Sequence, residues 1–300
     1  MLLCAASALA NGTPIPHGTL ELVAEDQWLD KQGLDKQKIA AGRTFDVGLH
    51  FQLEKGWHIY WINPGDSGEP PRVEWQLPTG VSAGAIEWPT PRRLDSGSIV
   101  DYGYEDAVLL IVPMRADSSL AAQQIAHLAA EVRLLVCSHE MCIPGKAQLS
   151  LTLSIKSQPP ATDTRTTDGP TDGPTNDLFA ATRRSLPGPA PRAWKFIVSD
   201  AKDSFVLTAN IGHQITQAVF FPLVESQIEN AAPQKLQTSA AGFQLTLRKS
   251  NQLLKPIARL QGVLVLSSNL SSSNLLDNSA GYLIDVPVTG RAETRSTITK

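Results

Sequence analysis

The chain has 300 residues, of which 42% are hydrophobic, and a formal net charge of −3. The apolar content is sufficient for packed cores, and at roughly 100–200 residues per domain the length predicts two domains. Because the charge is slightly negative and no basic cluster exceeds the pairs Arg92-Arg93 and Arg183-Arg184, the composition argues against nucleic-acid binding.

The first ten residues are typical of a secretory signal peptide. They are apolar and end in Ala8-Leu9-Ala10, the small-residue pattern of a cleavage site. A signal peptide normally has a Lys or Arg before its apolar stretch, and this sequence has none there. We therefore expect the start of the sequence to be truncated or assigned too late. Cleavage would remove Cys4 and leave Cys137 and Cys142 in an exported chain, most simply in the bacterial periplasm, where disulfides persist. No later run of 18 apolar residues predicts a membrane span.

Composition divides the rest of the chain into two β-rich regions and a linker. Residues 157–190 contain a repeated Thr-Asp-Gly-Pro of low apolar content and a short helix capped by Asp177, and they are predicted to form a flexible linker. The predicted domains are residues 11–156 and 191–292, with a tail at 293–300. Both are expected to be antiparallel β-sandwiches, because short alternating segments are separated by Gly, Pro and Asp turns. The predicted fold class is therefore all-β.

The strand candidates are short segments of alternating apolar residues. In the first region they are 19–25, 44–53, 58–62, 73–76, 83–88, 108–114, 127–136 and 147–155. In the second region they are 194–199, 204–210, 218–222, 242–248, 257–266 and 281–288. Besides the linker helix, helical character is predicted only at 120–128.

Cys137 and Cys142 lie between two alternating segments that predict an antiparallel hairpin. Such a hairpin sets the cysteines about 4.5–5.5 Å apart at Cα, close to the separation that a disulfide needs. A ring this small adds little stability through the unfolded state. We therefore expect thiol–disulfide exchange, with an inert structural disulfide as the alternative. His139, between the cysteines, is either a modulator that favours the thiolate when charged or a solvated loop residue.

The cysteines and the residues between them also suggest metal binding as a competing function. Two thiolates, an imidazole and a thioether suit Cu(I), and they are supplied by Cys137, His139, Met141 and Cys142. Zinc is less favoured, because no second Cys/His pair lies at finger spacing. The sequence therefore leaves two functional hypotheses: a copper-binding protein, and an oxidoreductase that uses no bound cofactor.

Two further segments are rich in aromatic and turn residues. Residues 56–68 are interpreted as structural: the aromatic side chains are expected in a sandwich core, the Asn-Pro-Gly-Asp run in a turn, and His58 as an ordinary strand histidine. Residues 99–105 are predicted as a Gly-broken loop whose tyrosines either pack inward or form a lid over the cysteine pair. The candidate modulators in this loop are Asp101, Tyr102, Tyr104 and Glu105.

Three motifs in this order resemble the periplasmic N-terminal region of DsbD-type thiol:disulfide interchange proteins, most closely the ScsB-like branch linked to copper tolerance. They are Trp57-His58-x-Tyr60-Trp61-x-Asn63-Pro64-Gly65-Asp66-Ser67-Gly68, Asp101-Tyr102-Gly103-Tyr104-Glu105 and Cys137-x4-Cys142-Ile143-Pro144. Residues 220–222, 228–234 and 284–287 are also similar to that branch.

The resemblance implies an immunoglobulin-like sandwich that acts as a protein-disulfide reductase, or as the electron-relay part of a larger system. A thioredoxin-like domain would supply electrons, and periplasmic thiol proteins of the disulfide isomerase or reductase type would accept them. A DsbD-type membrane transporter is an implied further partner. The implied redox pair is Cys137 and Cys142, with Cys142 forming the mixed disulfide. The family's covering loop maps onto residues 99–105, where Asp101 replaces the usual aromatic cap.

Overall fold

The structure is a computed structural model, and it describes residues 12–25, 38–40, 42–118, 120, 125–156, 174–267 and 280–290. The predicted signal peptide, the predicted tail and the predicted linker as far as residue 173 lie outside these residues. Within the described part of the chain, no helix combines the length and the apolar character needed to cross a membrane.

The described residues are almost entirely β-structure, as predicted, and the all-β fold class is confirmed. The strands of the first half are β1 (Thr13–Ile15), β2 (Gly18–Ala24), β3 (Lys38–Ala40), β4 (Thr44–Leu53), β5 (His58–Gly65), β6 (Arg72–Gln76), β7 (Val81–Ala83), β8 (Arg92–Ser96), β9 (Ile99–Glu105), β10 (Ala107–Ala116), β11 (Ile125–Cys137) and β12 (Cys142–Lys156). They are followed by α1 (Pro174–Ser185), β13 (Gly188–Pro189), β14 (Lys195–Asp200), β15 (Ser204–Asn210), β16 (Gln217–Pro222), β17 (Lys235–Ser239), β18 (Gly242–Arg248), β19 (Arg259–Ser267) and β20 (Ala280–Thr289).

These strands form three sheets. The first has the order β1-β2-β4-β10-β7, and the second has the order β3-β12-β11-β5-β9-β8, with β6 also paired to β11. The third has the order β16-β19-β20-β14-β15-β18-β17, with β13 paired to β20. Most pairs are antiparallel, as expected for sandwiches, while β3 pairs in parallel with β12, and β13 and β14 pair in parallel with β20.

The chain divides into two compact units that are not continuous in sequence. The first contains Met1–Trp61, Gly68–Pro89 and Gly103–Leu186, and the second contains Ile62–Ser67, Thr90–Tyr102 and Pro187–Lys300. The division therefore falls within β5 and within β9. The sequence had placed residues 62–67 and 90–102 in the first domain, because continuous ranges were the only division that composition could indicate.

Strand β10 of the first unit is buried on both faces. Alternate residues such as Leu110 and Val112 are fully buried, and so are Leu109 and Ile111 on the opposite face. The second pair lies in a cluster with Phe179 of helix α1, which covers that face of the strand. Burial on both faces accounts for the nearly continuous apolar sequence of β10.

Helix α1 belongs to the first unit instead of being part of a linker. It begins at Pro174, a residue that favours the first helical turn, and not at the predicted cap Asp177. Near its C-terminal end, the Arg183 guanidinium donates hydrogen bonds to the carboxylates of Glu25 and Asp46. A cation suits the last turn of a helix, where the backbone carbonyls have no helical partners.

The second unit has its own apolar core between β-strands. Its fully buried members include Val198, Leu207, Leu245 and Leu264. Phe220 also belongs to this core, and its ring occupies the space where a side chain at Gly262 would lie. The second unit therefore has the packed apolar core that is expected of a separate domain.

Several strands agree with the segments predicted for them, and β4, β15 and β18 agree in both bounds. The helical prediction at 120–128 is wrong from Ile125 onward, because those residues begin β11, while residues 121–124 lie outside the described part. The strand predicted at 83–88 is replaced by β7 and an isolated bridge between Glu87 and Ile111. The predicted loop at 99–105 is strand β9.

The packing of α1 gives a test of the first unit's boundary. Phe179→Ala is expected to lower the free energy of unfolding of this unit by about 3–5 kcal/mol, since it removes a fully buried aromatic side chain. Urea unfolding is the measurement. The exposed Arg184 lies on the same helix, and Arg184→Ala should change stability by no more than about 0.5 kcal/mol. Equal effects in the two variants would contradict the packing of α1 on β10.

Candidate functional site

The β11–β12 hairpin carries the two cysteines at its tip. The register runs from Ile125↔Ser154 to Cys137↔Cys142, so the cysteines are the last directly opposed pair. They form a disulfide, with their Cα atoms 4.1 Å apart. The connecting residues are held by a hydrogen bond from the Ser138 N–H to the Met141 carbonyl, 2.8 Å long.

The disulfide lies on the outer face of its sheet. Along β11 the even-numbered residues from Ala126 to Val136 are buried, so the next residue, Cys137, has its side chain on the opposite face. On β12 the inward series includes Ala147 and Leu149, which places Cys142 on the outer face as well. The alternation of the two strands thus brings the disulfide to the side away from the sandwich core.

The two cysteines differ in their exposure to solvent. Cys142 is exposed, whereas only 1% of Cys137 is exposed. A thiolate attacks along the line of the S–S bond, so an approaching thiol can reach the Cys142 sulfur while Cys137 is shielded. This asymmetry fits a disulfide that is opened at one chosen sulfur.

Side chains from β5 flank the cysteine pair. His58 is the residue directly opposite Cys137, and Tyr60 lies two residues further along the same face. The Tyr60 hydroxyl lies 3.6 Å from the Cys142 Sγ and, with the cysteines oxidised, can only donate a hydrogen bond.

The Tyr60 ring packs against Gly68, where a Cβ would approach the ring to 2.1 Å. The Gly68 backbone also has φ of +76°, which favours glycine.

His58 is the functional candidate that sequence reasoning missed. It is 7% exposed, and its ring contacts Tyr60 edge-to-face with centroids 5.2 Å apart. Burial, helped by the nearby charge of His139, lowers the pKa of His58 to about 4, so the imidazole is neutral at ordinary pH. Within the described part of the chain, its buried Nε2 has no hydrogen-bond partner. Burying a polar atom without a hydrogen-bond partner destabilises a fold by about 1–3 kcal/mol. The unpartnered Nε2 therefore needs an explanation.

The four residues proposed to bind copper lie close together at the hairpin tip, but they do not form a preformed metal site. His139 and Met141 are exposed beside the exposed Cys142. The two cysteine sulfurs are bonded to each other, whereas a cysteine binds Cu(I) as a thiolate. Among the described residues, no group of three or more His, Cys, Asp or Glu side chains is arranged to hold a metal ion.

Asp101 and Tyr102 have specific partners within the second unit. Asp101 accepts hydrogen bonds from both the backbone N–H and the hydroxyl of Ser67, at 2.9 and 2.8 Å. Burial raises the pKa of Asp101, although these bonds oppose the shift. The Tyr102 hydroxyl donates to Asn230 Oδ1 at 3.0 Å, and burial raises the pKa of Tyr102. These contacts show packing roles for both residues.

Tyr104 and Glu105 complete β9 on the side of the first unit. Tyr104 is 6% exposed, and its hydroxyl donates to the Pro89 carbonyl at 2.7 Å. Glu105 is half-buried at the end of the strand. Because residues 99–105 form a strand with both tyrosines buried, the inward-packing interpretation replaces the lid. The tyrosine that reaches a sulfur is Tyr60, which was expected only in the core.

The Asn-Pro-Gly-Asp run is also structural, although it does not form an isolated turn. Its first residues end β5, and Asn63 donates to the Pro222 carbonyl at 2.8 Å. Asp66 accepts from Asn230 Nδ2 and from the Val100 N–H, both at 2.8 Å. These bonds tie the run into the second unit, to which it belongs.

Structural comparison finds solved structures that are similar to this chain. The N-terminal periplasmic domain of ScsB from Proteus mirabilis aligns with a TM-score of 0.60 and 14% identity, covering 96% of this chain and 97% of that chain. The periplasmic chaperone SfaE and BcpA, the major pilin subunit of Bacillus cereus, have TM-scores of 0.22 and 0.24, with identities of 6% and 7%. They cover 91% of this chain each, and 100% and 69% of their own. These two scores are too low to support an argument.

A comparison with curated protein sequences gave no match. At 14% identity, the ScsB match shows a shared fold. The family model described as the N-terminal region of thiol:disulfide interchange protein DsbD matches residues 25–154, which contain both cysteines and the β5 motif. The resemblance predicted from the sequence is thereby confirmed for residues 25–154, which match the DsbD N-terminal family model.

Proposed function

We propose that Cys137 and Cys142 form a reversible redox pair that relays reducing equivalents from a thioredoxin-like donor to periplasmic thiol proteins. The single observation that carries this proposal is the asymmetric exposure of an outward-facing disulfide at a hairpin tip. The small ring supports it, because such a ring contributes little to holding the fold together. The match of residues 25–154 to the DsbD N-terminal family model supports the same chemistry.

The relay consists of two thiol–disulfide exchanges. A donor thiolate attacks the exposed Cys142 Sγ, the S–S bond breaks, and Cys137 leaves with the electron pair. A second donor thiolate then attacks the mixed disulfide and releases Cys142, so that two electrons have passed to the pair. The reduced Cys142 thiolate next attacks an acceptor disulfide, and Cys137 resolves that mixed disulfide. No bound cofactor takes part in these steps.

The direction of attack predicts which cysteine is trapped with a partner. Cys137→Ser should accumulate a mixed disulfide with a thioredoxin-like domain that lacks its resolving cysteine, because the exposed Cys142 remains. Cys142→Ser should accumulate little, because the remaining Cys137 is buried. Non-reducing gels followed by mass spectrometry give the measurement. Trapping by Cys142→Ser alone would reverse the assignment.

The Tyr60 hydroxyl predicts a lowered pKa for Cys142 in the reduced protein. A hydrogen bond donated to the thiolate favours the charged form, and its net worth of about 0.5–1.5 kcal/mol corresponds to about 0.4–1.1 pKa units. Tyr60→Phe should therefore raise the pKa of Cys142 by that amount. The pH dependence of alkylation by iodoacetamide measures it.

Tyr104→Phe is the matched control for Tyr60→Phe. Tyr104 is also a buried tyrosine of the first unit, but its hydroxyl donates to a backbone carbonyl. This control should leave the alkylation profile of Cys142 unchanged. A profile shifted equally by both substitutions would mean that the effect comes from general loosening of the unit and not from the bond to sulfur.

A further inference from the structure

The buried Nε2 of His58 lacks a hydrogen-bond partner in the described part of the chain while the cysteines are oxidised. Buried polar atoms without partners are uncommon in folded proteins, and one beside a redox group suggests a partner that exists only in the other redox state. The reduced Cys137 thiol is such a partner. It carries an S–H that the disulfide lacks, and it lies on the neighbouring strand.

The strand register brings these groups together. His58 on β5 is directly opposite Cys137 on β11, and Cys137 is directly opposite Cys142 on β12. Directly opposed residues have side chains on the same face, with Cβ atoms about 4.5–5.5 Å apart. The imidazole and the two sulfurs therefore form one row across three strands of the outer face.

We propose that His58 accepts the proton of the Cys137 thiol when Cys137 resolves the mixed disulfide, a role that rests on the proposed function. Cys137 is only 1% exposed, so its thiol has little access to water as a proton acceptor. Burial in apolar surroundings also raises the pKa of a thiol, which keeps Cys137 protonated unless a base is near. The His58 imidazole, directly opposite Cys137, supplies that base. Its lowered pKa leaves it uncharged and able to accept a proton at neutral pH, although the same lowering makes it a weaker base.

The step balances as follows. The Cys137 S–H proton moves to His58 Nε2, and the Cys137 sulfur attacks the Cys142 sulfur of the mixed disulfide. The bond between Cys142 and the partner sulfur breaks, and the partner leaves as a thiolate with the electron pair. His58 then returns its proton to that thiolate or to solvent. The cysteine pair is oxidised by two electrons and the partner disulfide is reduced.

Other titratable groups lie around His58 and Cys137, but none of them is a base on β5 directly opposite Cys137. They are Tyr60 on β5, whose ring contacts the His58 ring, Cys142 on β12 and His139 in the hairpin loop. The Tyr60 hydroxyl contacts Cys142, and His139 is exposed. The nearby charge of His139 contributes, after burial, to the lowered pKa of His58.

The test follows the lifetime of a mixed disulfide with glutathione. The reduced full chain is mixed with oxidised glutathione, quenched with acid at intervals and analysed by mass spectrometry between pH 6 and pH 10. His58→Gln keeps a hydrogen-bonding side chain but removes the base. At pH 7 it should lengthen the lifetime at least about tenfold, the lower end of what a general base contributes. The difference should shrink to less than about twofold at pH 10, because a larger fraction of Cys137 is then already a thiolate before it attacks.

His127→Gln is the matched control. His127 lies on the outer face of β11 and is exposed, with its ring hydrogen-bonded to the Thr152 hydroxyl. It should leave the lifetime unchanged at every pH. If His58→Gln behaves like this control, or slows resolution equally at pH 7 and pH 10, the inference is overturned. If the parent protein forms no mixed disulfide at all, the proposed function itself fails.

A measurement on the parent protein covers the case in which His58→Gln does not fold. The ¹⁵N chemical shift of His58 Nε2 is recorded by NMR at pH 7 in the oxidised and the reduced protein, with the His127 ring as internal reference. A shift confined to His58 on reduction is expected, because Nε2 gains the Cys137 S–H as a donor. Identical His58 shifts in both redox states would contradict the proposal.

Discussion

The register of the β11–β12 hairpin is the constraint on which the site depends. Val136 is the last residue of the buried series along β11, so Cys137 must face outward, and its pairing with Cys142 brings both sulfurs to the same outer face. A slip of one residue would turn the apolar series of one strand toward solvent, and the core therefore enforces the pairing. Packing inside the sandwich thus fixes the placement of the disulfide on its outer face.

Reactivity then follows from what surrounds each sulfur. Cys142 is exposed and accepts a hydrogen bond from Tyr60, whereas Cys137 is buried opposite His58. In the proposed relay, the exposed sulfur is the one that partner proteins attack, and the shielded sulfur resolves the mixed disulfide within the chain. Gly68 allows this arrangement, because any side chain there would displace the Tyr60 ring. In the same proposal, the neutral His58 is the base at a position where water has little access.

The sequence predicted the all-β class, the hairpin and the cysteine pair, because alternation and turn residues are local signals. It could not assign residues 62–67 and 90–102 to the second unit, because that grouping depends on distant contacts such as Asp66 with Asn230. For the same reason Tyr102 and Tyr104 were candidates for a lid, and their partners Asn230 and Pro89 emerged only from the fold. The position of His58 required the register of β5 against β11, which no periodicity encodes.

The reduction potential of the cysteine pair tests the central claim most directly. The full chain is equilibrated in glutathione and dithiothreitol buffers of defined potential, and the fraction of Cys137–Cys142 disulfide is measured by alkylation and mass spectrometry. A relay requires a potential within the range of exchange proteins, about −120 to −270 mV, so that donors can reduce the pair and acceptors can oxidise it. A potential below about −300 mV would identify the bond as structural and contradict the account.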